Sequence, residues 1–401
     1  MLNAAILAAA IHAPGVCPDG HSHGNPTSTV ERFALAAWQA ADETKIDPIR
    51  QKDLDRDSEL GKEYSKEIDK ELKPSEDEAL IKRVKRIGDE MAVIANSFQA
   101  DVSWGDKRPS KFKYEFKVVK GEDVNAFSLP GGIIYVYEGL AKYVESDDEL
   151  AGVMGHEISH AAFRHVWALQ RQSEKLSLAT MVAMIAAVLT RSTDSANIAR
   201  GVQLGAQSIS SGWSQDAERS SDYGGLQFMM RSKYDPTGSV TFMERLARDE
   251  RARGSIDWGI FRTHPPSKER VQNLLGMMEK FKLPIHRSAV ATSFRTIVKP
   301  GENGVVEAWF NGKRIYTFAG SDALERADAA AKKLDTFFDK VPQMIEVSSG
   351  SGAVLFNNKT LLVIAQSDAA AQKLSVQELA DQTTKSIKGT LFSLAYRVWG
   401  I

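Results

Sequence analysis

The stretch His156-Glu157-Ile158-Ser159-His160 constrains this chain more tightly than any other. Histidines at i and i+4 share one face of an α-helix about one turn apart, so two imidazoles can meet a single ion only if this segment is helical. Glu157 lies roughly 100° round the helix from His156, beside a metal-held water rather than on the metal, which suits a general base. The helix is announced by Ser146-Asp147-Asp148-Glu149, which reads as a capping box with Ser146 as N-cap. Leu150, Val153, Met154 and Ile158 supply its apolar positions. The spacing predicts a helix running from Ser146 through His160 towards Gln170.

Composition narrows the donor set. The chain has 401 residues and a single cysteine, Cys17, which excludes an internal disulfide and a thiolate-rich zinc site, so the ligands must be nitrogen and oxygen. A formal charge of −1 with 26% charged residues gives no signal for nucleic acid, and no nucleic-acid partner is expected. Zinc in a hydrolytic site takes three protein ligands and keeps one position for water. The third ligand is expected on another element, within Trp213-Ser214-Gln215-Asp216-Ala217-Glu218-Arg219-Ser220-Ser221-Asp222-Tyr223-Gly224-Gly225. Glu218 and Asp222 are i and i+4, so one can bind the ion while the other orients a ligating imidazole; by spacing alone Asp216 competes for the ligand role.

The rest of the chain divides by pattern. Residues 1–28 read as a possible signal remnant and linker: 4–11 are apolar, but the usual basic start is missing, and Pro14-Gly15-Val16 before Cys17 fits a lipid-attachment site poorly. Residues 29–284 are assigned to a metallopeptidase domain and 285–401 to a small accessory domain. Residues 29–100 read as helical, broken near Pro74, with Lys62, Glu63, Lys66, Glu67, Lys70 and Glu71 on a solvated face. Tyr114–Val119 reads as a strand, and Asn125 to Tyr137 as a hairpin turning at Pro130-Gly131-Gly132. Asn125, Ala126 and Phe127 on that hairpin could hold a peptide as an added strand, or the hairpin could be structural alone. Residues 176–190 are almost wholly apolar, but as a helix span only about 22 Å, short of a hydrocarbon core of about 30 Å. A buried helix is expected there, with a shallow peripheral membrane contact as the alternative. After Pro284, two passes of paired strands, turned at Asn311-Gly312-Lys313 and Asn357-Asn358-Lys359, are each followed by a helix, while Asp368 and Glu378 read as isolated acids. The expected class is α+β: a mainly helical zincin-type domain with a small sheet, then a small α/β domain.

Several of these segments together resemble the HtpX and CAAX prenyl-protease family of zinc peptidases, a branch of the gluzincins. The likeness is carried by Asn125-Ala126-Phe127, Pro130-Gly131-Gly132, Glu149-Leu150 before His156-Glu157, His165, Ser214 through Asp222 with Gly225, Tyr234-Asp235-Pro236, and His264-Pro265-Pro266 with Arg270. It implies one zinc per chain, held by His156, His160 and Glu218 in preference to Asp216, with Asp222 supporting the site. Gln215 and Ser221 stand where the family has arginine and alanine; neither change removes a ligand. His264 is expected near the metal, stabilising the transition state or blocking the open position, or else simply opening the helix at 266–281. Arg270 is expected in an internal ion pair. The resemblance implies an endopeptidase of the bacterial periplasm or envelope acting on unfolded or misassembled proteins, similar to the soluble members of the family. The competing reading is a latent zinc protein serving as a chaperone-like binding module.

Overall fold

The computed structural model describes residues 46–172, 215–253 and 268–394. Expectations placed on residues 1–28, on 176–190 and on His264 lie outside these residues. Among the described residues no helix is long and apolar enough to cross a membrane.

The described residues open with two charged helices, α1 (Pro48–Glu71) and α2 (Glu78–Ser97), capped by Asp47 and Asp77 whose carboxylates accept from the first backbone N–H groups. Three short strands follow: β1 (Glu115–Val119), β2 (Ala126–Leu129) and β3 (Ile133–Tyr137), in the order β1-β3-β2. β2 and β3 form the expected antiparallel hairpin, while β1 joins the far side of β3 in parallel. Gly131 and Gly132 take φ of 80° and 87° in its turn, a region that suits glycine. β3 is buried along its whole length because it is the middle strand of a sheet covered on both faces. Ile134 and Val136 face the main core, and Ile133, Tyr135 and Tyr137 face α1, as the period of two requires.

The metal-motif helix α4 (Asp147–Ala162) follows the short α3 (Glu138–Tyr143) and is packed against α2, β2, α6 (Gln215–Met229) and α7 (Thr237–Arg253). Leu150, Val153, Met154 and Ile158 are all buried, as their spacing predicts. Ser146 caps the helix by accepting from the Glu149 N–H, but the box is only half made: the Glu149 carboxylate turns back one residue further, to the Glu145 N–H. It is also buried in an ion pair with Arg245 from α7, and that pull diverts it from the cap. The helix does not run on to Gln170. It stops at Ala162, Arg164 takes φ of 52°, and α5 (His165–Gln172) starts on a new axis. The Arg164 guanidinium is held by Asp57 on α1 and by Asp106, so ion pairs fix a reversal that helical periodicity does not foresee.

The helices α7 and α8 (Lys268–Lys280) complete the first core, and Asp235 caps α7, accepting from Thr237 N–H at 2.8 Å. After α9 (Arg287–Val290) come two three-stranded antiparallel meanders: β4 (Ile297–Pro300), β5 (Val306–Phe310) and β6 (Lys313–Phe318), then β7 (Val347–Gly350), β8 (Ala353–Phe356) and β9 (Lys359–Val363). The first is followed by α10 (Ala323–Asp339), the second by α11 (Gln366–Ala371) and α12 (Val376–Leu394). Each meander has an irregularity at its centre, at Ala308/Trp309 and Val354/Leu355, and each turns through two residues of positive φ. The structure thus adds β4 and α11 to the elements expected and gives the repeat a definite form. A second hydrophobic core gathers residues from both meanders and from α10 and α12. The class is α+β, mainly helical with small sheets.

Candidate metal centre

The centre is built where α4 and α6 cross, and glycines set how closely they approach. A Cβ on Gly225 would stand 2.9 Å from the His156 backbone nitrogen, and one on Gly224 would lie 2.4 Å from the Phe163 ring. With no side chains there, α6 lies against the histidine face of α4. His156 and His160 then present their Nε2 atoms 3.1 Å apart. Glu218 completes the group, with Oε2 3.3 Å from His156 Nε2 and Oε1 3.3 Å from His160 Nε2. Two donors about 2.0–2.1 Å from one tetrahedral ion stand roughly 3.3–3.4 Å apart, so these spacings suit a single zinc-sized ion. The cluster His156, His160 and Glu218 has two nitrogens and one oxygen, as the cysteine count demands. Asp216 is elsewhere: half-exposed and paired with Arg219 on its own helix.

Charge around the cluster is balanced by buried partners. Asp222 Oδ1 lies 3.0 Å from His156 Nδ1, and the Arg270 guanidinium bridges Asp222 (2.7 and 2.8 Å) and Glu218 (2.8 Å). Burial alone would raise the Asp222 carboxyl, but Arg270, then His156, outweigh it and bring it down to about 2. Burial would lower His156, yet Glu218 and Asp222 hold it up at about 9, so a metal must displace a proton from this ring. Arg270 is the internal ion-pair residue expected, but the sequence did not place it on Glu218. Glu157 is 2% exposed on the same helical turn, close enough to Arg270 to stabilise the guanidinium.

Behind His160 stands a third imidazole. His165 Nδ1 faces His160 Nδ1 at 3.0 Å and its Nε2 faces the Trp104 carbonyl oxygen at 3.1 Å. Burial, then the neighbouring His160, push His165 well below the usual histidine range. The sequence offered His165 only as part of a family likeness; its position after a helix break gave no periodic signal.

Asn125, Ala126 and Phe127 lie at and just before the start of β2, the edge strand that packs on α4. All three are buried. The Phe127 ring stacks on Tyr135 at 4.8 Å, facing α1, while Asn125 Oδ1 has no hydrogen-bond partner among the described residues.

Comparison with known proteins agrees with this geometry. Residues 81–278 match Peptidase family M48, and residues 305–393 match a domain of unknown function (DUF8459). The chain is 25% identical over 232 residues to the beta-barrel assembly-enhancing protease of Yersinia pestis, covering 57% of this chain and 45% of that one. It is 31% identical over 169 residues to the mitochondrial metalloendopeptidase OMA1 of Schizosaccharomyces pombe (41% and 47% covered). It is 32% identical over 164 residues to the metalloprotease LoiP of Escherichia coli (41% and 62% covered). The chain therefore spans less than two thirds of the length of each of these relatives. The matches reach the M48 level without singling out the HtpX and CAAX prenyl-protease branch. Residues 81–278, which build the His/His/Glu cluster, thus form a segment of the M48 peptidase superfamily.

Proposed function

We propose that residues 29–284 form a zinc-dependent endopeptidase domain and that residues 285–401 are an accessory unit recruiting or regulating its substrates. The observation that carries this is the convergence of His156 Nε2, His160 Nε2 and a Glu218 carboxylate within a segment matching a peptidase family, with Glu157 one residue from a ligand. In this reading His156, His160 and Glu218 hold one zinc per chain. When bound, the ion would supply Lewis acidity at this point, for a water and for the scissile carbonyl. Glu157 takes the proton of the attacking water and delivers it to the leaving amine. Asp222 fixes His156, and Arg270 supplies the countercharge to both Asp222 and Glu218. The edge of β2 beginning at Asn125 offers main-chain groups along which an extended peptide can lie. His264 is proposed beside the metal, as a transition-state donor or an inhibitory ligand.

The name of one relative, a beta-barrel assembly-enhancing protease, supports an envelope role, since such barrels belong to outer membranes. We place the protein with the soluble periplasmic members of its superfamily, acting on unfolded or misassembled envelope proteins. The deciding experiment pairs metal content with casein cleavage. Purified protein should carry about one zinc per chain, and Glu157→Gln should keep it while losing cleavage. Cleavage by Glu157→Gln at the wild-type rate would overturn the mechanism, and a wild-type protein that binds zinc without cleaving would favour the latent binding module. His264→Ala should raise cleavage if His264 is an inhibitory ligand and lower it if it serves the transition state.

A further inference from the structure

We infer that His165 is a positioning residue for the metal centre: it accepts a hydrogen bond from the Nδ1–H of His160 and thereby keeps the His160 Nε2 lone pair turned towards His156 and Glu218. This rests on the zinc site proposed above. The two ligand histidines are supported differently. His156 has the Asp222 carboxylate behind it, the usual partner for a ligating imidazole, whereas the Nδ1 of His160 faces another imidazole.

The tautomers follow from what each neighbour can do. The Trp104 carbonyl can only accept, so His165 carries its proton on Nε2, leaving a lone pair on Nδ1. That lone pair faces His160 Nδ1, which must then carry the proton, and His160 Nε2 is left as the donor to an ion. Ser221 Oγ, 3.3 Å from the same His165 nitrogen, is a second donor to it and does not reverse the order.

Three features of the fold hold His165 in place, and none of them belongs to the His156, His160 and Glu218 cluster. The left-handed Arg164, tied to Asp57 and Asp106, turns the chain so that the next side chain swings back beneath the preceding helix. A left-handed arginine is strained and persists only where the surroundings enforce it. The segment 104–106 clamps this reversal: Asp106 N–H donates to the Phe163 carbonyl at 2.8 Å, and Trp104 O accepts from both His165 and Ser220. Gly105, at φ of 118°, lies so close that a Cβ would stand 2.9 Å from the His165 ring. The break after Ala162 therefore serves to place an imidazole that a continuous helix would carry away from His160.

The test is zinc affinity of the full-length chain, measured by competition with a chromophoric chelator. His165→Phe should weaken binding about 10–100-fold. His165→Gln, whose amide can accept from His160 and donate to the Trp104 carbonyl, should recover most of that loss, with metal-free unfolding temperatures of the two variants alike. Equal affinity in wild type and His165→Phe overturns the inference, as does a glutamine variant as weak as the phenylalanine one, which would mean that the ring only fills space. If His165→Phe does not fold, long-range proton–nitrogen spectra of metal-free wild type decide the matter: a proton on His160 Nδ1 supports the inference and one on Nε2 overturns it. Wild-type protein that binds no zinc would instead bring down the site itself.

Discussion

Asp222 in the helical region and Asp368 in the double-meander region look alike at first: each is a buried aspartate paired with an arginine. Asp368 is wholly closed in. It accepts from Tyr316 Oη (2.8 Å), the Ala319 N–H (2.7 Å) and Arg326 (2.6 and 2.9 Å), tying the second meander's helix α11 to the end of β6. Asp222 instead points through His156 towards two further candidate donors, and its arginine reaches past it to Glu218. A buried ion pair alone is therefore no mark of a functional site. What marks one is a set of buried donors whose lone pairs meet at a point, with the countercharge arranged behind them.

Substitutions can break that contrast. The largest effect is expected for Glu218→Ala, which should take zinc content from about one per chain to near zero, measured by elemental analysis, with loss of casein cleavage. Glu157→Gln should lower the cleavage rate by about 10²–10⁴-fold at unchanged zinc content. Asp368→Ala should cost about 3 kcal/mol in denaturant unfolding, at the low end for a broken buried pair because Arg326 stays partly hydrated, and should leave zinc affinity untouched. A change in zinc affinity there would show that the two regions are coupled. Asp222→Asn should weaken zinc binding by about 10–100-fold, read by chelator competition.

The smallest effect is a pH dependence of the metal-free protein. Asp222 is depressed to about 2, so its stabilisation is complete above the ordinary aspartate value near 4 and fades as pH falls towards 2. His156 is raised to about 9, so its contribution is complete below the ordinary histidine value near 6.5 and fades as pH rises through 9. Stability should form a plateau between about pH 4 and 6.5 and fall on both sides. Asp222→Asn should flatten both limbs; Asp368→Asn, which removes another depressed carboxyl, should flatten only the acid one. Unfolding curves across pH in the presence of a chelator would check this.

Much of the centre was legible because it rests on local periodicity. The four-residue spacings of His156/His160 and Glu218/Asp222 place each pair on one helix face, and Ser146 marks where the first helix begins. The exposed charges from Lys62 to Glu71 on α1 are as the pattern foretold. Asp57 on the same helix was not: it is 1% exposed and paired with Arg164, a partner 107 residues away. Asp368 likewise read as an isolated acid because Tyr316 and Arg326 precede it by some forty to fifty residues. Glu378 is not isolated either; it accepts from Ser375 in a local cap, a pattern that Ser375 three residues earlier could have suggested.

The sequence by itself determined the donor types, the helix that carries two of them, and the second helix that carries the third and its support, since these follow from side-chain chemistry and a period of 3.6 residues. Only the tertiary structure decided that Arg270 spans Asp222 and Glu218, that the helix stops at Ala162, and that His165 returns to His160. Those outcomes depend on charges brought together from distant elements, where burial makes pairing obligatory and overrides what the local pattern prefers.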